Sequence, residues 1–191
     1  MSTNPTRILG IAGSLRSGSF NRALLRAATE LAPSGVELTT FDELGALPFY
    51  DGDVEAAGEP AAVHSLRAAI DAADAVLLVT PEYNDGTSAV LKNAIDWASR
   101  PPQRTIAGKL MAVMGASVTP SGARGGIESV KRSLRRAGSD VLDEQVAVPS
   151  VAGAFDADLH LTDDLMRAEV AGLVATLGAR ARAASEELVA A

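Results

Sequence analysis

No cysteine occurs among the 191 residues. That absence excludes disulfides, thiolate catalysis, iron–sulfur clusters and cysteine-based zinc sites on chemical grounds. Histidine is nearly as scarce. His64 falls in a predicted helix and His160 in a predicted loop, so neither a Ser/His/Asp arrangement nor an H-x-x-x-H metal pair can be assembled, and no metal is expected. No apolar run approaches the roughly 18 residues of a membrane span. The polar opening MSTNPTR runs into the first apolar segment without the charged-then-apolar order of a signal peptide. These features predict a soluble cytoplasmic protein with no membrane partner. Positive charge is also in deficit. A net charge of -7 and a pI near 4.8 oppose the phosphate neutralisation that nucleic-acid binding requires. The densest basic stretch, RSLRR at 132–136, reads as a solvated face or an interface.

Apolar material is ample, at 47% of residues, enough for one core covered on both sides and for a single domain over 1–191. Short apolar runs recur at 7–12, 36–41, 75–80 and 109–116, with a weaker one at 140–148. Helical periodicity fills the intervals at 21–32, 60–73, 88–99 and 125–138, and a last helix covers 163–189. Continuous apolar strands alternating with amphipathic helices predict a doubly wound, five-stranded parallel sheet with helices on both faces, a three-layer α/β/α sandwich. The connection 46–60, rich in Gly, Pro and acids, reads as a long loop. Only 4% of residues are aromatic, which singles out Tyr83 in a loop and Trp97 on a helix.

In such a sheet the ligand lies beyond the carboxyl ends of the strands, so the segments following each apolar run carry the chemistry. After the first comes GSLRSGSFN at 13–21. Gly13 and Gly18 have P-loop spacing, but Ser19 and Phe20 stand where that motif needs Lys and then Ser or Thr. Gly13 and Gly18 permit a tight turn with φ > 0, Ser14, Ser17 and Ser19 offer hydroxyls, Arg16 a cation, and Asn21 a helix cap. A terminal monophosphate fits this set better than a triphosphate; a serine-capped connecting turn is the plain alternative. After the third run, Pro81, Glu82, Tyr83 and Asn84 offer a stiff exit, a carboxylate, an aromatic face and an amide to a planar ligand. After the fourth, Ser117 and the glycines at 122, 125 and 126 bring backbone donors toward the same crevice. With no acid, base, nucleophile or metal evident, a bound cofactor has to carry any reaction, and an aromatic phosphate ester such as a flavin mononucleotide answers economically.

At GSLRSGSFNRAL (13–24), TPEYN (80–84) and LKNAIDWASRP (91–101) the chain resembles the NAD(P)H-dependent FMN reductases, a flavodoxin-like family that includes quinone, chromate and azo-dye reductases. The resemblance implies a noncovalent FMN, with Ser14, Arg16, Ser19, Phe20 and Asn21 around its phosphate, Pro81, Glu82, Tyr83 and Asn84 beside the isoalloxazine, and Ser117 approaching the ring. It implies NADPH or NADH as co-substrate, with electrons passed through the flavin to quinones, free flavin or similar small-molecule acceptors in a ping-pong cycle. It also implies a homodimer or homotetramer with each flavin near a subunit boundary. Trp97 either faces that partner or packs beneath its own chain's 101–108 loop. Two departures stand out: the run Asp85–Ala89 lacks the family's proline and sets a negative charge beside the acceptor, and Glu128 stands where an arginine is expected. A flavodoxin-like electron carrier that never oxidises NAD(P)H itself is the rival reading.

Overall fold

The computed structural model describes residues 4–190. Five strands form a single sheet: β1 (Thr6–Ala12), β2 (Val36–Thr40), β3 (Ala75–Thr80), β4 (Leu110–Ala116) and β5 (Asp140–Val148). Their order is β2-β1-β3-β4-β5 and every pairing is parallel, the flavodoxin-like doubly wound arrangement. Each strand lies within one residue of its predicted range. The reason is burial. Every residue of β3 and β4 is enclosed, so both faces demand apolar side chains and the runs are continuous.

Successive residues of β3 point to opposite layers. Leu77 joins the core formed under α1 (Phe20–Glu30) and α7 (Asp164–Ala190), with Leu24, Met114, Val174 and Leu177. Leu78 joins the core under α3 (Ala61–Ala72), α4 (Ala89–Ala98) and α5 (Arg124–Arg136), with Leu66, Leu91, Val113 and Ile127. Between β4 and β5 the register slips between Met111 and Val113. Buried Lys131 of α5 reaches this stretch, its Nζ donating to the Asp143 carbonyl at 2.7 Å and to Gln145 Oε1 at 2.9 Å, and burial pushes its pKa down.

Two expectations change, and one short helix is added. The connection 46–60 is not a plain loop, because Gly52–Ala57 forms the short helix α2, capped by Asp51, whose Oδ1 accepts from the Asp53 N–H at 2.8 Å. A second short helix, α6 (Val151–Ala154), follows β5. Trp97, 1% exposed, is covered by the 48–50 segment of its own chain: Nε1 donates to the Pro48 carbonyl at 2.8 Å and the ring meets Tyr50 edge-on at 5.0 Å. It is therefore no partner contact.

Where β3 and β4 run out toward the ligand end, they approach too closely for any side chain. A Cβ on Gly115 would stand 2.5 Å from the Thr80 carbonyl oxygen and 3.0 Å from Ala123 Cβ. Gly115→Ala is expected to cost about 1–3 kcal/mol by overpacking. Urea denaturation checks this, and an unchanged midpoint would refute the steric account.

Candidate active-site cleft

The order of strands reverses between β1 and β3, and the loops leaving these two strands diverge there. Between them and the loop after β4 lies a cleft of about 150 Å³. A larger cleft, about 640 Å³, opens at the other end of the sheet, where β4 and β5 begin, among Lys109, Asp140 and Arg180. Ligands of open α/β sheets occupy the carboxyl ends, so the smaller cleft is the candidate site.

The first wall is the loop after β1. Gly13 donates its N–H to the Val79 carbonyl at 2.7 Å, which seats the loop on β3. Neither Gly13 nor Gly18 takes a positive φ, contrary to the turn expected from sequence. Gly13 is required by proximity instead, since a Cβ would lie 2.8 Å from Ser88 Oγ, the cap of α4. A Cβ on Gly18 would meet nothing within 4 Å, so the protein's own packing does not demand that glycine.

Ser19, not Asn21, caps α1. Its Oγ accepts from the N–H groups of Asn21 at 3.2 Å and Arg22 at 3.4 Å. Capping uses the acceptor side of the hydroxyl and leaves its O–H to donate. Asn21 does something sequence could not show: Nδ2 donates to the Ala116 carbonyl at 3.0 Å, and Oδ1 accepts the Ala116 N–H at 2.9 Å. Its amide ties the start of α1 to the end of β4. Arg16 is exposed and folds one guanidinium N–H onto the Gly18 carbonyl at 3.2 Å. Buried Ser14 lines the same wall, and the Phe20 ring packs on Phe155 with centroids 5.3 Å apart.

The second wall follows β3. Thr80 Oγ1 donates to the Pro81 carbonyl at 2.7 Å and meets Thr87 Oγ1 at 3.2 Å, which closes the base of the loop. Tyr83 and Gly86 exchange backbone bonds of 3.0 and 2.9 Å around Asn84 (φ 50°) and Asp85 (φ 58°). Two consecutive positive φ values define a type I′ hairpin, a turn that favours Asn and Asp. The Asp85 departure from the family pattern is thus turn chemistry. Asn84 occupies the turn and is not brought to the cleft, whereas Pro81, Glu82 and Tyr83 line it, Tyr83 being 55% exposed. Glu82 lines the cleft but bonds away from it, its Oε2 accepting from the Gly126 N–H at 2.9 Å.

Ser117 lines the third side; its N–H donates to the Val148 carbonyl at 3.1 Å, and its Oγ bonds Thr119 Oγ1 at 2.9 Å. Ala116 and Val118 complete the lining and escaped the sequence reading. Their only signal was position, immediately at the end of an apolar strand. Of the ten residues that the resemblance implies for the flavin, all but Asn84 line this cleft, from three separate stretches of chain, whereas Gly13, Ser17, Gly18 and the glycines at 122, 125 and 126 are outside the lining. The lining carries one cation, Arg16, and one carboxylate, Glu82. The histidines lie elsewhere, His64 against Glu59 and His160 against Asp156. Among the described residues no His/Asp/Glu cluster could hold a metal, and no helix is long and apolar enough to cross a membrane.

Comparison with known proteins shows the family and the fold. The model of the NADPH-dependent FMN reductase family matches residues 6–153. An NAD(P)H-dependent FMN reductase of Pseudomonas aeruginosa is 44% identical over 162 residues, 84% of this chain and 87% of the relative. A quinone reductase of Escherichia coli is 41% identical over 113 residues, 59% of this chain and 60% of the relative. Among solved structures, a flavoenzyme NAD(P)H:(acceptor) oxidoreductase from Paracoccus denitrificans superposes with a TM-score of 0.84 at 32% identity, covering 93% of this chain and 97% of the other.

Proposed function

The chain belongs to the NADPH-dependent FMN reductase family, and we propose that it reduces quinones, free flavin or similar small-molecule acceptors at the cleft between the β1 and β3 loops. It is an NAD(P)H-dependent oxidoreductase with FMN as cofactor and NADPH or NADH as co-substrate. One observation carries the site assignment: the serine loop, the Pro81–Tyr83 segment and Ser117, remote in sequence, line a single cleft.

The residues fit the cofactor. Ser14 and Ser19 are buried with hydroxyls at the cleft, Gly18 leaves open space beside them, and the start of α1 adds the partial positive charge of a helix N-terminus. These groups suit a monophosphate and need no lysine; Arg16 supplies the full positive charge. At about 150 Å³ the cleft is smaller than the ~300–1,000 Å³ of enclosed small-molecule sites. A ligand of flavin size therefore extends over a rim that includes exposed Tyr83 and Val118.

When bound, FMN would supply the redox chemistry between NAD(P)H and an acceptor, the two co-substrates using the cleft in turn in a ping-pong sequence. The chain supplies placement. Ser14, Ser19 and Arg16 would hold the phosphate, Asn21 fixes the cleft floor by its bonds to Ala116, and Pro81 to Tyr83 would form the wall beside the ring, with Ser117 approaching it. Asn84 acts through the hairpin turn. Asp85, exposed beside it, disfavours anionic acceptors such as chromate by charge. The single domain spans the chain, works in the cytoplasm and pairs into a homodimer or homotetramer; Trp97, buried at home, takes no part in that contact.

Titration of the purified protein with FMN, followed by NADPH oxidation with a quinone, tests the reading. Protein that binds no FMN sinks it, and FMN binding without NADPH oxidation leaves the electron-carrier alternative. Arg16→Ala is expected to weaken FMN binding about tenfold, the worth of one hydrogen bond to a charged group. Unchanged affinity would remove Arg16 from the phosphate site.

A further inference from the structure

Helix α5 starts without a cap of its own. The residue before it, Ala123, has φ 67° and no side chain able to accept a hydrogen bond, and the first turn contains no acid. The orphan N–H of Gly126, third residue of the helix, is nevertheless satisfied. Its acceptor is Glu82 Oε2 at 2.9 Å, 44 residues upstream on the loop after β3. The other oxygen, Oε1, accepts from Ser121 Oγ at 3.4 Å. Both oxygens of the carboxylate that lines the cleft are thus held by the segment 121–126.

This approach depends on two adjacent glycines. A Cβ on Gly125 would lie 2.9 Å from Glu82 Oε2 and 3.3 Å from Asp85 Cα. A Cβ on Gly126 would lie 2.8 Å from the Pro81 carbonyl oxygen. Pro81, Glu82 and the hairpin that follows therefore rest on a side-chain-free turn of α5, and a carboxylate is locked there by a charge-assisted bond and the helix dipole.

We propose that Glu82 is the N-cap of α5 supplied from a distance, and that this cap, seated on Gly125 and Gly126, positions the Pro81–Tyr83 wall against the bound FMN. Glu82 is a positioning residue. Its carboxylate acts through the backbone between Pro81 and Tyr83, and α5's first turn and the cofactor wall form one mechanical unit. The positioning role rests on the assignment of the cleft to FMN; the cap does not.

Amide hydrogen exchange on FMN-free protein and FMN titration of the same variants test it. In Glu82→Ala the Gly126 amide is expected to exchange about tenfold faster or more, and FMN to bind about tenfold more weakly, as for loss of a charged hydrogen bond. Glu82→Gln keeps an acceptor for the Gly126 N–H but loses the charge, so it should fall between wild type and Glu82→Ala in both readouts. Gly126→Ala lies outside the cleft lining, yet should also weaken FMN. The Glu82→Ala/Gly126→Ala double variant should lose little beyond the worse single, because both act on one contact. Unchanged exchange in Glu82→Ala overturns the cap, even if FMN affinity falls, since the side chain would then act by direct contact. A Glu82→Gln protein as impaired as Glu82→Ala, or Gly126→Ala with full FMN affinity, overturns the positioning role. Wild-type protein that binds no FMN overturns that role together with the cleft assignment, and the exchange result then decides the cap alone.

Discussion

Asn21→Ala is expected to lose about 2–6 kcal/mol of folding stability and, with it, measurable FMN binding. The side chain is 5% exposed and makes two bonds to one residue, Ala116, across 95 positions of sequence. Alanine leaves a buried N–H and a buried C=O without partners, each costing about 1–3 kcal/mol. Those groups belong to the end of β4, which lines the cleft, so the loss falls on the proposed cofactor site as well as on the fold. Asn21→Asp should be no better, because a carboxylate can accept from the Ala116 N–H but sets a second acceptor against the Ala116 carbonyl. Urea denaturation and FMN fluorescence quenching measure the two effects together. An Asn21→Ala protein within about 0.5 kcal/mol of wild type, the range of ordinary surface substitutions, would show that the strap is dispensable.

Trp97→Ala should cost about 3–5 kcal/mol, the range for emptying a large buried aromatic site. Its ring is enclosed beneath the 48–50 segment, and Pro48 is held through one carbonyl by both Trp97 Nε1 at 2.8 Å and Asn93 Nδ2 at 2.9 Å. Because Asn93 also accepts the Tyr50 N–H at 2.8 Å, the segment stays pinned when Trp97 changes to Phe. Trp97→Phe is therefore expected to lose only about 1–2 kcal/mol, the N–H bond and some volume. Trp97 is the sole tryptophan, so its emission reports unfolding in the wild type, and far-UV circular dichroism has to follow the variants. Neither variant touches the cleft lining. Folded Trp97→Ala should bind FMN normally, unlike Asn21→Ala, and a parallel loss of FMN affinity would contradict the separation of core and site.

The two residues show where sequence reasoning holds and where it stops. Asn21 was legible as a polar residue at a strand–helix junction. Ser19 and Asn21 are both good helix caps, however, and nothing local decides between them. The choice is made by β4, whose last peptide presents a donor and an acceptor at the spacing of one amide. Trp97 was legible as a lone large aromatic on a helix, its cover left open. Its cover comes from a segment nearly 50 positions away, read from composition as a loop, which contains α2 and packs back on α4. Asn84 and Asp85 give a third case. Their tendency to positive φ is a local property, but it becomes a two-residue hairpin only because Tyr83 and Gly86 pair across them.

The strands, the main helices, the parallel sheet and the three loops that line the cleft were determined by the sequence itself. These depend on periodicity and continuous burial, properties of neighbouring residues that the chain writes in order. The Asn21 strap, which leaves the cap of α1 to Ser19, the Glu82 cap of α5 and the cover over Trp97 were decided only by tertiary structure. Each is a bond between groups distant in sequence, where many donors could serve one acceptor and only the folded sheet brings one of them within 3 Å.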